Sequence, residues 1–299
     1  MGRFSARYVG AVVVALAVRA LAVTLAIVLR PGSPVPKDEP QEAAPSARGG
    51  RSDVLVVAHR GASAYAPHDT VAAAREAVDR GADVVEADIR QTRDGHLVAL
   101  FHGTLAPTTD VEQVFPDRRP WRIERFTLEE VKRLDSGSWF GPDFAGERVP
   151  TVGEMVDALA GSDVELIVEV KTPQHYPGIM RRLLDHIESA PARFREVESF
   201  DLTFLRRLAQ HDPPVRLGAA AGVAPERMAE LTSYLDAVNA PRRKVDEGYV
   251  RRAHELDLEV KVWSLNTPAA VREALRLGVD GIYSHRPDMV GRVLEEERL

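Results

Sequence analysis

Between residues 58 and 110 the chain carries His59-Arg60-Gly61, then Glu86-x-Asp88, then His102. A third carboxylate follows at Glu169, two residues before Lys171. These residue types suit one kind of chemistry. Glu86, Asp88 and Glu169 would make a hard oxygen site for Mg²⁺ or Ca²⁺. Arg60, as a planar fork, and Lys171, as a point charge, could hold phosphate oxygens. Two imidazoles, His59 and His102, titrate in the neutral range and could move protons on either side of phosphorus. A metal, a phosphate and a pair of proton carriers together indicate phosphodiester cleavage.

Such groups need a frame that brings them to one place. Short apolar runs alternate with helical patterns, which predicts parallel strands joined by crossover helices. Strands are expected at 54–61, 83–92, 164–171, 196–200, 215–222, 235–241, 258–266 and 280–287. Residues 69–81 read as a helix with an Asp-type cap and a terminal Gly, and 267–278 as another helix. Asp94-Gly95 marks a tight turn into a hairpin extension over 96–103. Eight strands alternating with helices fit a closed barrel better than an open sheet. The expected fold class is therefore α/β, a TIM (β/α)8 barrel, in which reactive groups sit at the C-terminal strand ends. His59 and Arg60 end the first strand. Glu86 and Asp88 lie two apart on the second, so both face one side. Glu169 and Lys171 repeat that spacing, and Trp263 and Asn266 end the seventh strand. Segment 104–150 shows no βα repeat and reads as a small insertion after strand two.

Composition bounds the partners. The chain has 299 residues and a net charge of −6 with mixed signs, so no basic field argues for nucleic acid. An acidic protein that binds phosphate must supply positive charge locally. Cysteine is absent, which excludes disulfides, thiolate catalysis and Cys-ligated zinc. Residues 8–29 are almost wholly apolar, enough to cross about 30 Å of hydrocarbon at about 1.5 Å per residue. The exit, AIVLRPGSPVP, offers no good small-x-small cleavage site, so 1–30 is expected to be one N-terminal transmembrane helix rather than a cleaved signal. Residues 31–52 are rich in Pro, Gly, Ser and charge and read as a flexible linker. Residues 53–299 form the barrel domain. Arg3 and Arg7 ahead of the span favour a cytoplasmic N-terminus. The expected location is the cell membrane, single-pass, with the barrel extracytoplasmic.

The motifs carry a resemblance. HRGAS (59–63), GADVVEADIRQTRDGHLV (81–98), the His102 segment and LDSGSWFGPDFAGERVPTVGEM (134–155) resemble the glycerophosphodiester phosphodiesterase family. VEVK (168–171), ESF (198–200), VKVWSLNTP (260–268) and GVDGIYSHRPD (278–288) continue it in order. The resemblance implies a TIM barrel with an insertion near 104–150 and Glu86, Asp88 and Glu169 as metal ligands. It further implies His59 and His102 as the acid/base pair, Arg60 as a phosphate contact, and Lys171 and Trp263 lining the pocket. The implied reaction is metal-dependent hydrolysis of a glycerophosphodiester to sn-glycerol 3-phosphate and an alcohol. Two alternatives stand beside it: phospholipase D-like action on lysophospholipids, with an apolar groove built from Trp139, Phe140 and Phe144, and a catalytically weakened binding domain. Three stretches depart from the family's pattern: Pro67-His68-Asp69-Thr70, His102-Gly103 and Pro107-Thr108-Thr109.

Overall fold

The computed structural model describes residues 54–297. The apolar run at 8–29 and the linker at 31–52 lie outside the described residues. No helix among the described residues is long and apolar enough to cross a membrane.

Among the described residues nine strands form one sheet: β1 (Leu55–His59), β2 (Val84–Gln91), β3 (Leu97–Ala99), β4 (Glu165–Val170), β5 (Phe194–Ser199), β6 (Arg216–Ala219), β7 (Ala237–Pro241), β8 (Glu259–Trp263) and β9 (Gly281–Ser284). Their order is β1-β9-β8-β7-β6-β5-β4-β2-β3, and β1 also pairs with β2. That last pairing closes eight parallel strands into a barrel. β3 is the antiparallel hairpin partner of β2, with Gln91 opposite Leu97. The TIM barrel expected from the alternating pattern is therefore present, hairpin included.

Side chains alternate across a strand, so each barrel strand has an outward and an inward set. Outward residues such as Val56, Ala58, Val85, Ala87, Val168, Val197 and Val260 join the large core beneath the helices. Inward residues Leu55, Val57, Val84, Ile167 and Tyr283 form a smaller cluster inside the barrel. Beside and above it the same inward parity turns polar. Glu86, Glu169, Glu196, Glu198, Asn239 and Lys261 are all buried. Burying such groups is tolerable only when they find partners. Lys261 Nζ lies 2.6 Å from Glu196 Oε2, and Asn239 Nδ2 donates to Glu196 Oε1 at 2.7 Å. Removing one member of such a buried pair costs about 3–5 kcal/mol. Gly218 makes room for this network: a Cβ there would stand 2.0 Å from Glu196 Oε1 and 2.7 Å from Asn239 Nδ2.

One boundary differs from the sequence reading. The helix Val71–Asp79 is capped by Thr70, whose Oγ1 accepts from Ala73 N, and not by Asp69. Asp69 takes a left-handed backbone with φ 57° and reaches across to β2, where its Oδ1 accepts from Asp88 N at 3.1 Å. A tertiary hydrogen bond to the barrel has displaced the local capping role. Segment 104–150 holds only short helical turns, at Val111–Val114, Ile123–Arg125, Leu128–Val131 and Pro142–Phe144, as an excursion without a βα unit.

Candidate active site

Strand register sets the site. His59 is paired with Glu86 across β1 and β2, Asp88 with Glu169 across β2 and β4, and Glu169 with Glu198 across β4 and β5. All lie on the inward parity, near the C-terminal ends of their strands. Four carboxylates are thereby brought to one end of the barrel.

They divide into two groups. Ligand atoms of Glu86, Glu169 and Glu198 lie within 4.8 Å of one another. Asp88 adjoins them and is engaged by two cations. Its Oδ2 is 2.7 Å from Arg60 Nε and its Oδ1 is 2.7 Å from Lys171 Nζ. Lys171 also pairs with Glu169. The sequence reading grouped Asp88 with Glu86 and Glu169; the structure puts Glu198 beside those two and Asp88 between the cations. The shorter Asp side chain sits two residues farther along β2, at the level of Arg60 and Lys171. Glu198 was missed as a site residue, although the alternation Glu196-Val-Glu198 places it on the carboxylate-bearing face. Its Oε2 accepts from Tyr283 OH at 2.9 Å and from Asn239 Nδ2.

The electrostatics of this cluster would suit a cation. Burial, and then the charges of Asp88, Glu198 and Glu169, hold Glu86 well above the usual carboxylate range. Burial and the neighbouring Asp88 push Glu169 up to about 7. Burial, with Glu169 and Glu196, pushes Glu198 up to about 8. Burial and Asp69 raise Asp88 too, against the opposing pull of Lys171 and Arg60. Glu86 Oε2 accepts from Arg60 N at 2.9 Å, while its buried Oε1 has no hydrogen-bond partner among the described residues. Crowded oxygens that resist joint ionisation, one of them orphaned, fit a hard divalent cation.

The imidazoles occupy different surroundings. His59 Nε2 lies 3.8 Å from Glu86 Oε2, and its Nδ1 lies 2.8 Å from Ser264 Oγ and 3.1 Å from His285 Nε2. Burial, then the charges of Arg60 and His285, hold His59 well below the ordinary histidine value. His102 packs against Phe101 with ring centroids 4.7 Å apart and stands 6.3 Å from His68. Burial and His68 lower it as well. Arg90 braces its strand exit, donating to Phe101 O and Leu100 O on one side and to Thr172 Oγ1 and Tyr176 OH on the other. His68 is held by Asp69 at 3.1 Å and packs on Trp139.

A cavity of about 400 Å³ opens at this barrel end. His59, Arg60, Glu169, Lys171, Glu198 and Trp263 line it, with Phe101 and Phe200 as apolar walls. His102 is not among the lining residues. Trp263 is anchored by Nε1, which donates to Asn239 O at 3.0 Å, and its ring meets Phe200. The Arg60 guanidinium lies 3.5 Å above the Phe101 ring, which pre-orients its fork. Such a site combines crowded carboxyl oxygens, two cations beside them and a largely buried imidazole. Residues 59–289, spanning all of it, match the profile of the glycerophosphoryl diester phosphodiesterase family.

The chain belongs to that family.

Its members are phosphoric diester hydrolases, and relatives match nearly end to end. A glycerophosphodiester phosphodiesterase of Caldanaerobacter subterraneus is 32% identical over 240 residues, covering 78% of this chain and 95% of the relative. A crystal structure of glycerophosphodiester phosphodiesterase from Agrobacterium tumefaciens is similar with a TM-score of 0.64 at 25% identity, over 80% of this chain and 99% of that one. An Oleispira antarctica phosphodiesterase solved with its product sn-glycerol-3-phosphate shares the fold, with a TM-score of 0.65 at 22% identity over 80% of this chain and 96% of that one.

Proposed function

We propose that the protein is a metal-dependent hydrolase of glycerophosphodiesters, releasing sn-glycerol 3-phosphate and an alcohol. The observation that carries this is the pair of cations Arg60 and Lys171, both held by Asp88, with Lys171 also paired to Glu169 of the acidic cluster Glu86, Glu169 and Glu198. A phosphodiester carries one negative charge and gains more on its equatorial oxygens as it is attacked. Arg60 and Lys171 are placed to meet that charge, and Asp88 fixes where both cations point.

A divalent cation, Mg²⁺ or Ca²⁺, held by Glu86, Glu169 and Glu198 would supply Lewis-acid stabilisation of a phosphoryl oxygen. The remaining steps belong to the chain. His59, kept neutral by burial, accepts the proton of the attacking oxygen at Nε2, whether that oxygen is water or a neighbouring hydroxyl of the glycerol. His102, in its protonated form, donates a second proton to the departing alkoxide and is left neutral. Phe101, Phe200 and Trp263 exclude water from the apolar side of the cavity and give the alcohol group a surface.

One feature favours a second substrate. The exposed large hydrophobic residues among the described ones are Trp139, Phe140 and Phe200. Phe200 walls the cavity, and Trp139 packs on His68 with Phe140 beside it. An apolar rim of this kind suits a lysophospholipid, which phospholipase D-like cleavage would split at the head group. Tethering through residues 8–29 at a cell membrane, with the barrel outside, would bring such lipids close. The test is turnover by the full-length protein of a panel of glycerophosphodiesters and lysophospholipids, each with Mg²⁺, Ca²⁺ or EDTA. Metal-dependent release of glycerol 3-phosphate supports the main reading; release of a free head group from lysolipids alone would replace it with the second.

A further inference from the structure

His285 lies just beyond β9, on the inward parity that carries the rest of the site, and takes no part in the proposed proton transfers. Its ring stacks on His59 with centroids 5.1 Å apart and an interplanar angle of 26°. Its Nε2 lies 3.1 Å from His59 Nδ1. This position is held on both sides of the residue. His285 N donates to Asn266 Oδ1 at 2.9 Å, and Ala64 N donates to His285 O at 3.1 Å. Ser284 Oγ donates to the same Asn266 oxygen at 3.1 Å and accepts from Arg286 N at 3.0 Å, which ties the turn together. So firm a mount for one half-buried ring calls for a purpose.

The contacts of His59 supply it. A neutral imidazole carries its proton on one nitrogen only, and the partner of the other nitrogen decides which. At Nε2 the nearest acceptor, Glu86 Oε2, is 3.8 Å away, too far for a hydrogen bond, and it already accepts from Arg60 N. At Nδ1 two partners stand within hydrogen-bond distance, Ser264 Oγ and His285 Nε2. A serine hydroxyl both donates and accepts, so Ser264 alone does not choose between tautomers. His285 does choose once its own proton sits on Nδ1, because its Nε2 can then only accept from His59 Nδ1–H.

We propose that His285 is a positioning residue: its Nε2 accepts from His59 Nδ1–H, which fixes the His59 ring plane and leaves His59 Nε2 bare and aimed at the reaction centre. This deepens the phosphodiesterase reading and rests on it for the role of His59. His285 itself touches no reacting atom. When His59 Nε2 takes a proton in turnover, the Nδ1–H bond to His285 persists and the imidazolium keeps its orientation. The partner is neutral, in contrast to a carboxylate, so it orients the ring without adding charge beside the acidic cluster.

The test compares two replacements of similar length in the full-length protein. His285→Gln can place an amide oxygen near the present Nε2 position; His285→Met keeps the bulk and removes the acceptor. Thermal melts show that both fold. The direct readout is ¹⁵N NMR of histidine-labelled protein, which reports the tautomer of His59 irrespective of any substrate. Wild type and His285→Gln are expected to show a protonated Nδ1 and a bare Nε2 on His59, and His285→Met a mixture of tautomers. In turnover His285→Met should lose about 10–100-fold in kcat with little change in KM, the usual size of an outer-shell effect, and His285→Gln should recover most of it. Should wild type cleave no glycerophosphodiester, the functional reading fails while the NMR comparison still decides the role of His285. A His59 tautomer and a kcat that are the same in His285→Met and wild type would overturn the proposal, as would a wild-type His59 protonated at Nε2.

Discussion

Arg60 and Asp88 meet at 2.7 Å, Nε to Oδ2, and this pair ties the cationic side of the site to its acidic side. Arg60 comes from just past β1, with a left-handed backbone at φ 57°; Asp88 comes from β2. The neighbouring Gly61 has φ 78°, and a Cβ there would stand 2.6 Å from Ala73, so the turn that aims Arg60 requires glycine. Arg60→Lys keeps the charge and loses the planar fork and its stacking on Phe101. A rise of about tenfold in KM is expected, about 1.4 kcal/mol, with the metal affinity unchanged. Steady-state kinetics beside a metal titration checks it.

The proton carriers are tested by deletion. His59→Ala and His102→Ala should each lower turnover by about 10²–10⁴-fold while divalent-ion binding survives. Near-wild-type rates in both would place the chemistry elsewhere. His102 is the sharper case, because it does not line the cavity that His59 lines.

Stability should depend on pH in a way the carboxylates dictate. Glu169 sits at about 7 and Glu198 at about 8 in the folded chain, against an ordinary value near 4.5. Between the ordinary and the raised values the folded chain holds more protons than the unfolded chain. Stability then falls as pH rises, and it is lost through the folded-state values. His59, whose value is lowered, pulls the opposite way below its unfolded value of about 6.5. The clean window is therefore about pH 7 to 8. Melts of metal-stripped protein should drop across that window, and Mg²⁺ or Ca²⁺ should raise the melting temperature most at its upper end. A flat melting temperature with no metal response would contradict the cluster's assignment.

Gly103 tests a departure from the family pattern. Its φ lies outside the left-handed region, and a Cβ would find its nearest neighbour, Arg90 Nη1, at 3.7 Å. Gly103→Asp should therefore fold with little cost and set a carboxylate beside Arg90 and His102. If a carboxylate there orients His102, kcat rises several-fold; a folded variant with unchanged kinetics would show that Arg90 and Phe101 already fix that ring.

Much of this was legible in the sequence because strands have a period of two. The spacing of Glu86 and Asp88, and of Glu169 and Lys171, put each pair on one face, and the barrel honours that. What spacing could not tell was which carboxylate meets which partner. Asp88 and Glu86 share a face, but side-chain length and level along β2 send one to the cations and the other to Glu198. That choice is tertiary, as is the use of Asp69 to hold β2 when its position promised a helix cap. Glu198 and His285 carried weaker signals: a second glutamate on an alternating strand and a histidine after the last one. The partners that give them meaning, Tyr283, Asn239 and His59, come from distant strands that only closure of the barrel makes adjacent.

Residues 8–29 invite a separate check. Cell fractionation should find the full-length protein in membranes and a chain beginning at Ser52 in the soluble fraction. A mature N-terminus within 30–52 would indicate a cleaved signal instead.

The most direct measurement is turnover of glycerophosphocholine by full-length protein, first stripped with EDTA and verified metal-free by elemental analysis, then supplied with Mg²⁺ or Ca²⁺. The expected result is no release of glycerol 3-phosphate without metal and restored release with it, with Glu198→Gln needing at least tenfold more metal for half-maximal rate. Full turnover in the verified metal-free protein would contradict the account.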